Sequence, residues 1–199
     1  MVLSGVCLLV APAVEGRTAT SRAGRDVEVV AAGWSGSYVG YSIGVVLRNR
    51  LRTLDALHVT GTLKVKRPSG WETSGYLLVP VIPAGQTVYV ASLTGVSGPL
   101  RISLDVGSER PMHYHLPPVS DIKIDRAKDE INATVTNPYN HPLSITSVNT
   151  EADAVIFDRK GIVIGGVGGG WCDLERRRGL KVINPRGRAD VVCDIPNDV

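Results

Sequence analysis

The chain has 199 residues, of which 43% are hydrophobic and 21% charged, a globular composition without an apolar run of about 18 or more residues that could span a bilayer as a helix. Lys and Arg number 22 against 19 Asp and Glu, and there are three Trp and one Phe; neither the one-signed field nor the aromatic supply of a nucleic-acid surface is present, so nucleic acid is set aside as a partner. The length exceeds the roughly 100 residues of one immunoglobulin-type sandwich and suits two.

Residues 1–26 differ in character from the rest. Leu3 to Val10 is a short apolar run, followed by Ala11-Pro12-Ala13, small residues of the kind signal peptidase accepts. The segment reads as an export signal or, in the alternative, as a buried first strand. The basic start of such signals is missing, since the first Lys or Arg is Arg17. Cys7 would be the point of lipid attachment and the route to membrane association, although Ser4-Gly5-Val6 fits a lipobox poorly. Gly16 to Arg25 lacks apolar periodicity and has the composition of a flexible tether.

From Val27 the chain alternates. Ile43, Val45 and Leu47 share one face, and Val59, Gly61, Leu63 and Val65 oppose Thr60, Thr62, Lys64 and Lys66. Leu100, Ile102, Leu104 and Val106 alternate with Arg101, Ser103 and Asp105. Turn residues separate these runs at Arg67-Pro68-Ser69-Gly70, Pro83-Ala84-Gly85 and Ser97-Gly98-Pro99. No segment has the spacing of a capped amphipathic helix, so the expected class is all-β.

Gly107 to Pro118, with Pro111, Pro117 and Pro118, reads as a connection between domains, placing a first sandwich at 27–110 and a second at 119–199. In the second half Ile131, Ala133 and Val135 alternate with polar neighbours. Ala154 to Phe157 and Ile162 to Ile164 flank Asp158-Arg159-Lys160-Gly161, while Ala189, Val191, Cys193 and Ile195 face away from Asp190 and Asp194. The order of elements repeats that of the first half. Asn49 corresponds to Asn137, and Ile82-Pro83-Ala84-Gly85 to Pro185-Arg186-Gly187, at an offset of roughly 90 to 100 residues, far above solenoid periods. The expected architecture is two tandem immunoglobulin-like antiparallel β-sandwich domains.

The strand Ile131 to Asn137, the hairpin Ala154 to Gly161 and the Ile162-Val163-Ile164-Gly165-Gly166 after it give Val119 to Val199 a resemblance to the FxLYD-type β-sandwich domain of bacterial exported proteins. Ala154, Ile156 and Phe157 stand where that motif has Phe, Leu and Tyr, and Asp158 matches it. The first half resembles a more divergent copy. The resemblance implies an accessory or binding module of the envelope, with no catalytic residues to carry over.

If export removes Cys7, Cys172 and Cys193 remain, in a compartment that permits oxidation, and are expected to form a disulfide. Cys193 shares the inward face of its strand, where a cysteine on the opposite sheet would meet it. Cys172 beside Trp171 resembles the Trp-near-disulfide arrangement of immunoglobulin cores.

Other constellations are weak. In the glycine-rich stretch Gly165 to Gly170 a dinucleotide fingerprint would need glycine at Trp171, and no P-loop ending follows; a flexible or bulged connection between strands is the expectation. Candidate binding residues are Trp171 beside Gly168, Gly169 and Gly170, and the basic run Arg176, Arg177 and Arg178, which would attract an anionic envelope polymer. His113 and His115 would share a strand face, but two imidazoles do not make a metal site. Neither His58 nor His141 has an evident catalytic partner, and Gly95-Val96-Ser97-Gly98 lacks the nucleophile elbow of serine hydrolases. The reading is a non-catalytic exported binding or structural module without cofactor or metal, its partner an envelope protein or polymer. The alternatives are a subunit that pairs through edge strands, and a hydrolase whose carboxylates assemble only in three dimensions.

Overall fold

The computed structural model describes residues 10–11, 20–22, 26–37, 40–94, 98–111, 114–144, 152–168, 172–174 and 182–195. They form strands and no helix: β1 (Val10–Ala11), β2 (Thr20–Arg22), β3 (Val27–Ser37), β4 (Gly40–Asn49), β5 (Asp55–Arg67), β6 (Gly70–Ile82), β7 (Thr87–Thr94), β8 (Leu100–Arg110), β9 (Val119–Asp125), β10 (Glu130–Thr136), β11 (Leu143–Ser144), β12 (Ala154–Asp158), β13 (Val163–Val167), β14 (Cys172–Leu174), β15 (Val182–Ile183) and β16 (Arg188–Asp194).

In the first half, strand alternation sorts side chains between two antiparallel layers, β6-β5-β8 and β3-β4-β7. Ile43, Val45 and Leu47 of β4 meet Val59, Leu63 and Val65 of β5 and Leu100 and Ile102 of β8 in one core, each at most 2% exposed. Burying one such side chain is worth roughly 1.5–3 kcal/mol. Thr60 and Lys66 face outward, as their period-two spacing requires. Pro68 and Ser69 turn β5 into β6, with Gly70 supplying the positive φ of 136°.

A second core forms between β9-β10-β16-β14 and the β12-β13 hairpin, from Ile131, Val135, Ala154, Ile156, Ile164, Ala189 and Val191. The β12-β13 turn is held by Asp158, whose Oδ1 accepts N–H bonds from Lys160 and Ile162, both at 2.8 Å, with Gly161 at φ 78°. Cys172 and Cys193 form a disulfide and are both in this core. The bridge does not join opposite sheets, contrary to expectation. The two cysteines are register partners on neighbouring strands of one sheet, β14 and β16, so their side chains leave the same face side by side. Closing a loop of this length contributes on the order of 3 kcal/mol in the chain-entropy account.

The buried Asn49 and Asn137 make corresponding bonds in the two halves, Asn137 sharing its two amide hydrogens among one more carbonyl. Asn49 ends β4, donates from Nδ2 to Leu54 O (2.8 Å) and Ile82 O (2.9 Å), and accepts from Leu51 N (3.0 Å). Asn137 follows β10, donates to His141 O (2.9 Å), Ile183 O (3.1 Å) and Asn184 O (3.0 Å), and accepts from Tyr139 N (2.9 Å). The backbone N–H of each also reaches across to a turn, Asn49 to Gln86 O and Asn137 to Gly187 O.

Three expectations are revised. The outer face of β3-β4-β7 is covered by β13, and the contact is backbone on backbone. A Cβ on Gly33 would run into the Val163 carbonyl and one on Gly44 into the Gly165 carbonyl. The Ser42 hydroxyl donates to Gly166 O and accepts from Gly166 N at 2.9 Å. Val46, Val155 and Val163 form a third, small core at this seam, flanked by Tyr89 edge-on to Phe157 at 6.2 Å. The glycines of 165–168 are therefore a close-packed strand and its end rather than a flexible connection, and the expected bulge is present beside them, where β13 carries Ile164 as an extra residue between its Val163 and Gly165 pairings.

The expected connection of 107–118 is also shorter and better fastened. β8 runs on to Arg110, which pairs with Asp55. Asp55 is 1% exposed; its Oδ1 accepts from Ala84 N (2.8 Å) and its Oδ2 from Tyr114 N (3.1 Å), while Leu116 packs on the first core. Finally, not every pairing is antiparallel. β1 lies parallel to β12 and β2 parallel to β8. Thr20–Arg22 falls in the expected tether, yet it pairs because the outer edge of β8 offers unpaired backbone groups there.

Candidate binding face

With the outer face of β3-β4-β7 taken up by β13, the outer face of β6-β5-β8 is, among the described residues, the uncovered one in the first half. Register sets its rows. Leu78, Thr60 and Asp105 lie side by side, then Tyr76, Thr62 and Ser103, then Thr73, Lys64 and Arg101, with Trp71 beside Lys66 at the end. A bulge at Ser74, between the Leu63 and Lys64 pairings, keeps Trp71 and Thr73 on this face.

Two large side chains here are far outside the usual burial of their types: Tyr76 is 72% and Leu78 66% exposed. At the other end Trp71 is half-buried under two cations, with the Arg101 guanidinium 4.2 Å and the Lys66 ammonium 5.9 Å from the ring centroid. Such contacts hold a cation in place at a cost in its own side-chain freedom. In the next row beyond Leu78, between Leu57 and Val59, His58 is exposed and adopts φ 51°, an uncommon conformation inside a strand. A Cβ on Gly107 would lie only 3.1 Å from the His58 Cβ, so the glycine makes room for it. At Tyr76 the edge of β6 is occupied by the other layer, where Ser92 Oγ donates to Tyr76 O at 3.3 Å.

The residues singled out from sequence fall elsewhere. Trp171, Gly169, Gly170, Arg176, Arg177, Arg178, Cys7 and His113 lie outside the described residues. Gly168 is buried, and a Cβ there would strike the carboxylate of Asp153, whose Oδ2 accepts from Ala91 N at 3.1 Å. His115 and His141 flank Tyr139: its hydroxyl donates to His115 O (3.0 Å) and its ring stacks on His141 at 5.2 Å. Among the described residues no three His, Cys, Asp or Glu side chains come together to hold a metal.

Asp26 and Glu109 are a carboxyl pair. Lost hydration, then a hydrogen bond with Asp26 and that group's charge, raise the Glu109 pKa above the ordinary glutamate value. The Glu109 residue is exposed on the end of β8, not in a cleft. Because the folded value is raised, folding gains from this proton below the ordinary glutamate pKa and loses that gain as pH rises through the raised one. Glu109→Gln is therefore expected to be more stable than the parent at neutral pH, by less than about 0.5 kcal/mol given solvent screening. The difference should close as pH falls below the ordinary glutamate value; thermal melts between acid and neutral pH that show a constant difference would contradict the pairing.

Comparison of the chain with protein-family models, with curated proteins and with solved structures gives no match. The resemblance drawn from residues 131–166 accordingly stands on those residues alone.

Proposed function

We propose that this chain is an exported, non-catalytic binding module of the cell envelope or extracellular space, built from two immunoglobulin-like units, and that it binds through the outer face of β6, β5 and β8. The observation that carries the reading is the exposure of Tyr76 and Leu78 in the middle of a sheet whose other layer is already covered by β13. Neighbouring exposed apolar side chains rimmed by hydroxyls and cations mark interaction surfaces. The buried disulfide is consistent with an oxidising compartment. Pairing of β6 with a partner strand is disfavoured at Tyr76 by the Ser92 contact. The Asp26 and Glu109 pair lends no support to a hydrolase, because Glu109 is exposed rather than enclosed with a substrate.

The test is co-sedimentation of purified protein with isolated envelopes of the source cells. The wild type should pellet, and the double variant Tyr76→Ala with Leu78→Ser should stay in the supernatant while keeping its melting temperature. Equal partitioning of the two would sink the assignment of this face.

A further inference from the structure

We infer that the ligand of this face is an anionic polysaccharide, its acid groups held by Lys64, Lys66 and Arg101 and its sugar rings by Tyr76 and Leu78; the inference rests on the binding-face reading above. The charge is one-sided. Lys64 and Arg101 are register partners, and Lys66 is the next outward residue of β5. The carboxylate on these rows, Asp105, stands beside Thr60, two rows away. Arg101 and Lys66 are exposed yet arranged over Trp71 rather than over a carboxylate, so their charge stays available to a ligand.

Thr60 stands beside Leu78, Thr62 and Ser103 lie in the row between it and the cationic end, and Thr73 flanks Lys64, hydroxyls that both donate and accept, which suits a hydroxylated polymer better than a lipid surface. Tyr76 presents an open aromatic face among them. Trp71 is already covered by Arg101, which leaves, among the described residues of this face, Tyr76 and the His58 imidazole, fewer platforms than a run of stacked nucleobases uses. A peptide strand added to the edge of β6 would have to displace the Ser92 bond to Tyr76 O.

The full chain is titrated against immobilised polygalacturonate and dextran, phosphatidylglycerol vesicles and single-stranded DNA at about 0.15 M salt, where surface charges farther apart than the screening length no longer act together. Binding is expected to polygalacturonate alone among the four. Tyr76→Ala should weaken it about tenfold, and Lys64→Glu by at least about tenfold. Lys123→Glu, on β9, makes the same change in net charge and should leave binding within about twofold, a difference below half a kcal/mol. Equal losses in the two lysine variants would mean that net charge alone is read, and would overturn the proposal. Tyr76-dependent binding to dextran, vesicles or DNA instead of polygalacturonate overturns the ligand class and leaves the binding face standing. Tyr76-independent behaviour in all four overturns both.

Discussion

Asn137→Ala and Asn49→Ala should each lower stability by about 3 kcal/mol, among the largest losses open to a single truncation in this chain. Both side chains are fully buried. Removing Asn49 leaves the carbonyls of Leu54 and Ile82 and the N–H of Leu51 without their partners; removing Asn137 strands three carbonyls, those of His141, Ile183 and Asn184, and the N–H of Tyr139. Unpaired buried groups cost more than the bonds themselves contribute, because water cannot replace the lost partner. In each half one of the carbonyls left behind belongs to a buried residue, Ile82 or Ile183, while His141 and Asn184 are exposed to water, so the two losses should be similar. Asn→Asp at either site should be worse than Ala, since it sets an ionised acceptor against carbonyls that need a donor. Urea unfolding would show lower midpoints at unchanged slope, and losses below about 1 kcal/mol would contradict these bonds.

These asparagines also show how far sequence alone reaches. The correspondence of Asn49 with Asn137 was readable, because each follows an alternating strand. Its cause was not, since the bonds run to Ile82 and Ile183, tens of residues away. The matching turns were readable only to within one residue. The structural counterpart of Gly85, at φ 68°, is Arg186, at φ 59°, and not Gly187, so matching by glycine slips the register by one. In both turns the N–H one residue further on reaches back three residues, Gln86 to Pro83 and Gly187 to Asn184. Arg186 carries a conformation usually left to glycine, and its guanidinium bonds Pro138 O (2.8 Å) and Asn140 Oδ1 (2.9 Å).

The binding face was hidden for a related reason. Gly75 to Ile82 is nearly continuous in apolar residues, so its period cannot be read, and Tyr76, Leu77 and Leu78 look alike as core. The polar face of β5 was legible in Thr60, Thr62, Lys64 and Lys66, and pairing fixes the rest: Tyr76 faces out because it sits opposite Thr62, and Leu78 because it sits opposite Thr60. The seam left a signal of another kind. β3 carries Gly33 and Ser35 and β4 carries Ser42 and Gly44, small residues where an exposed sheet would carry larger polar ones. Read with Gly165 and Gly166, they describe two layers in close approach, a relation between distant segments that no local pattern reports.

Gly44→Val tests that relation, because the sign of its effect depends on what covers β4. On an uncovered sheet face valine in place of glycine favours a strand, by up to about 1 kcal/mol, since it restricts the unfolded chain and packs on its neighbours. At this seam the new side chain meets the backbone of Gly165, and its Cβ alone would lie 2.9 Å from Val155 Cγ1. Neither obstacle is a flexible side-chain end: one is main chain in a strand, the other a methyl of a fully buried residue. The hairpin β12-β13 must then move off β4, giving up the Ser42 bonds to Gly166 and the contact of Val46 with Val155 and Val163. The expected result is a loss of about 3 kcal/mol, at the upper end of overpacking costs. It should be local in hydrogen exchange: amides of β12 and β13 exchange faster, while those of β5 and β8, whose core does not touch residue 44, keep their protection. A stabilised Gly44→Val, or unchanged exchange in β13, would mean that the two halves do not pack in this way.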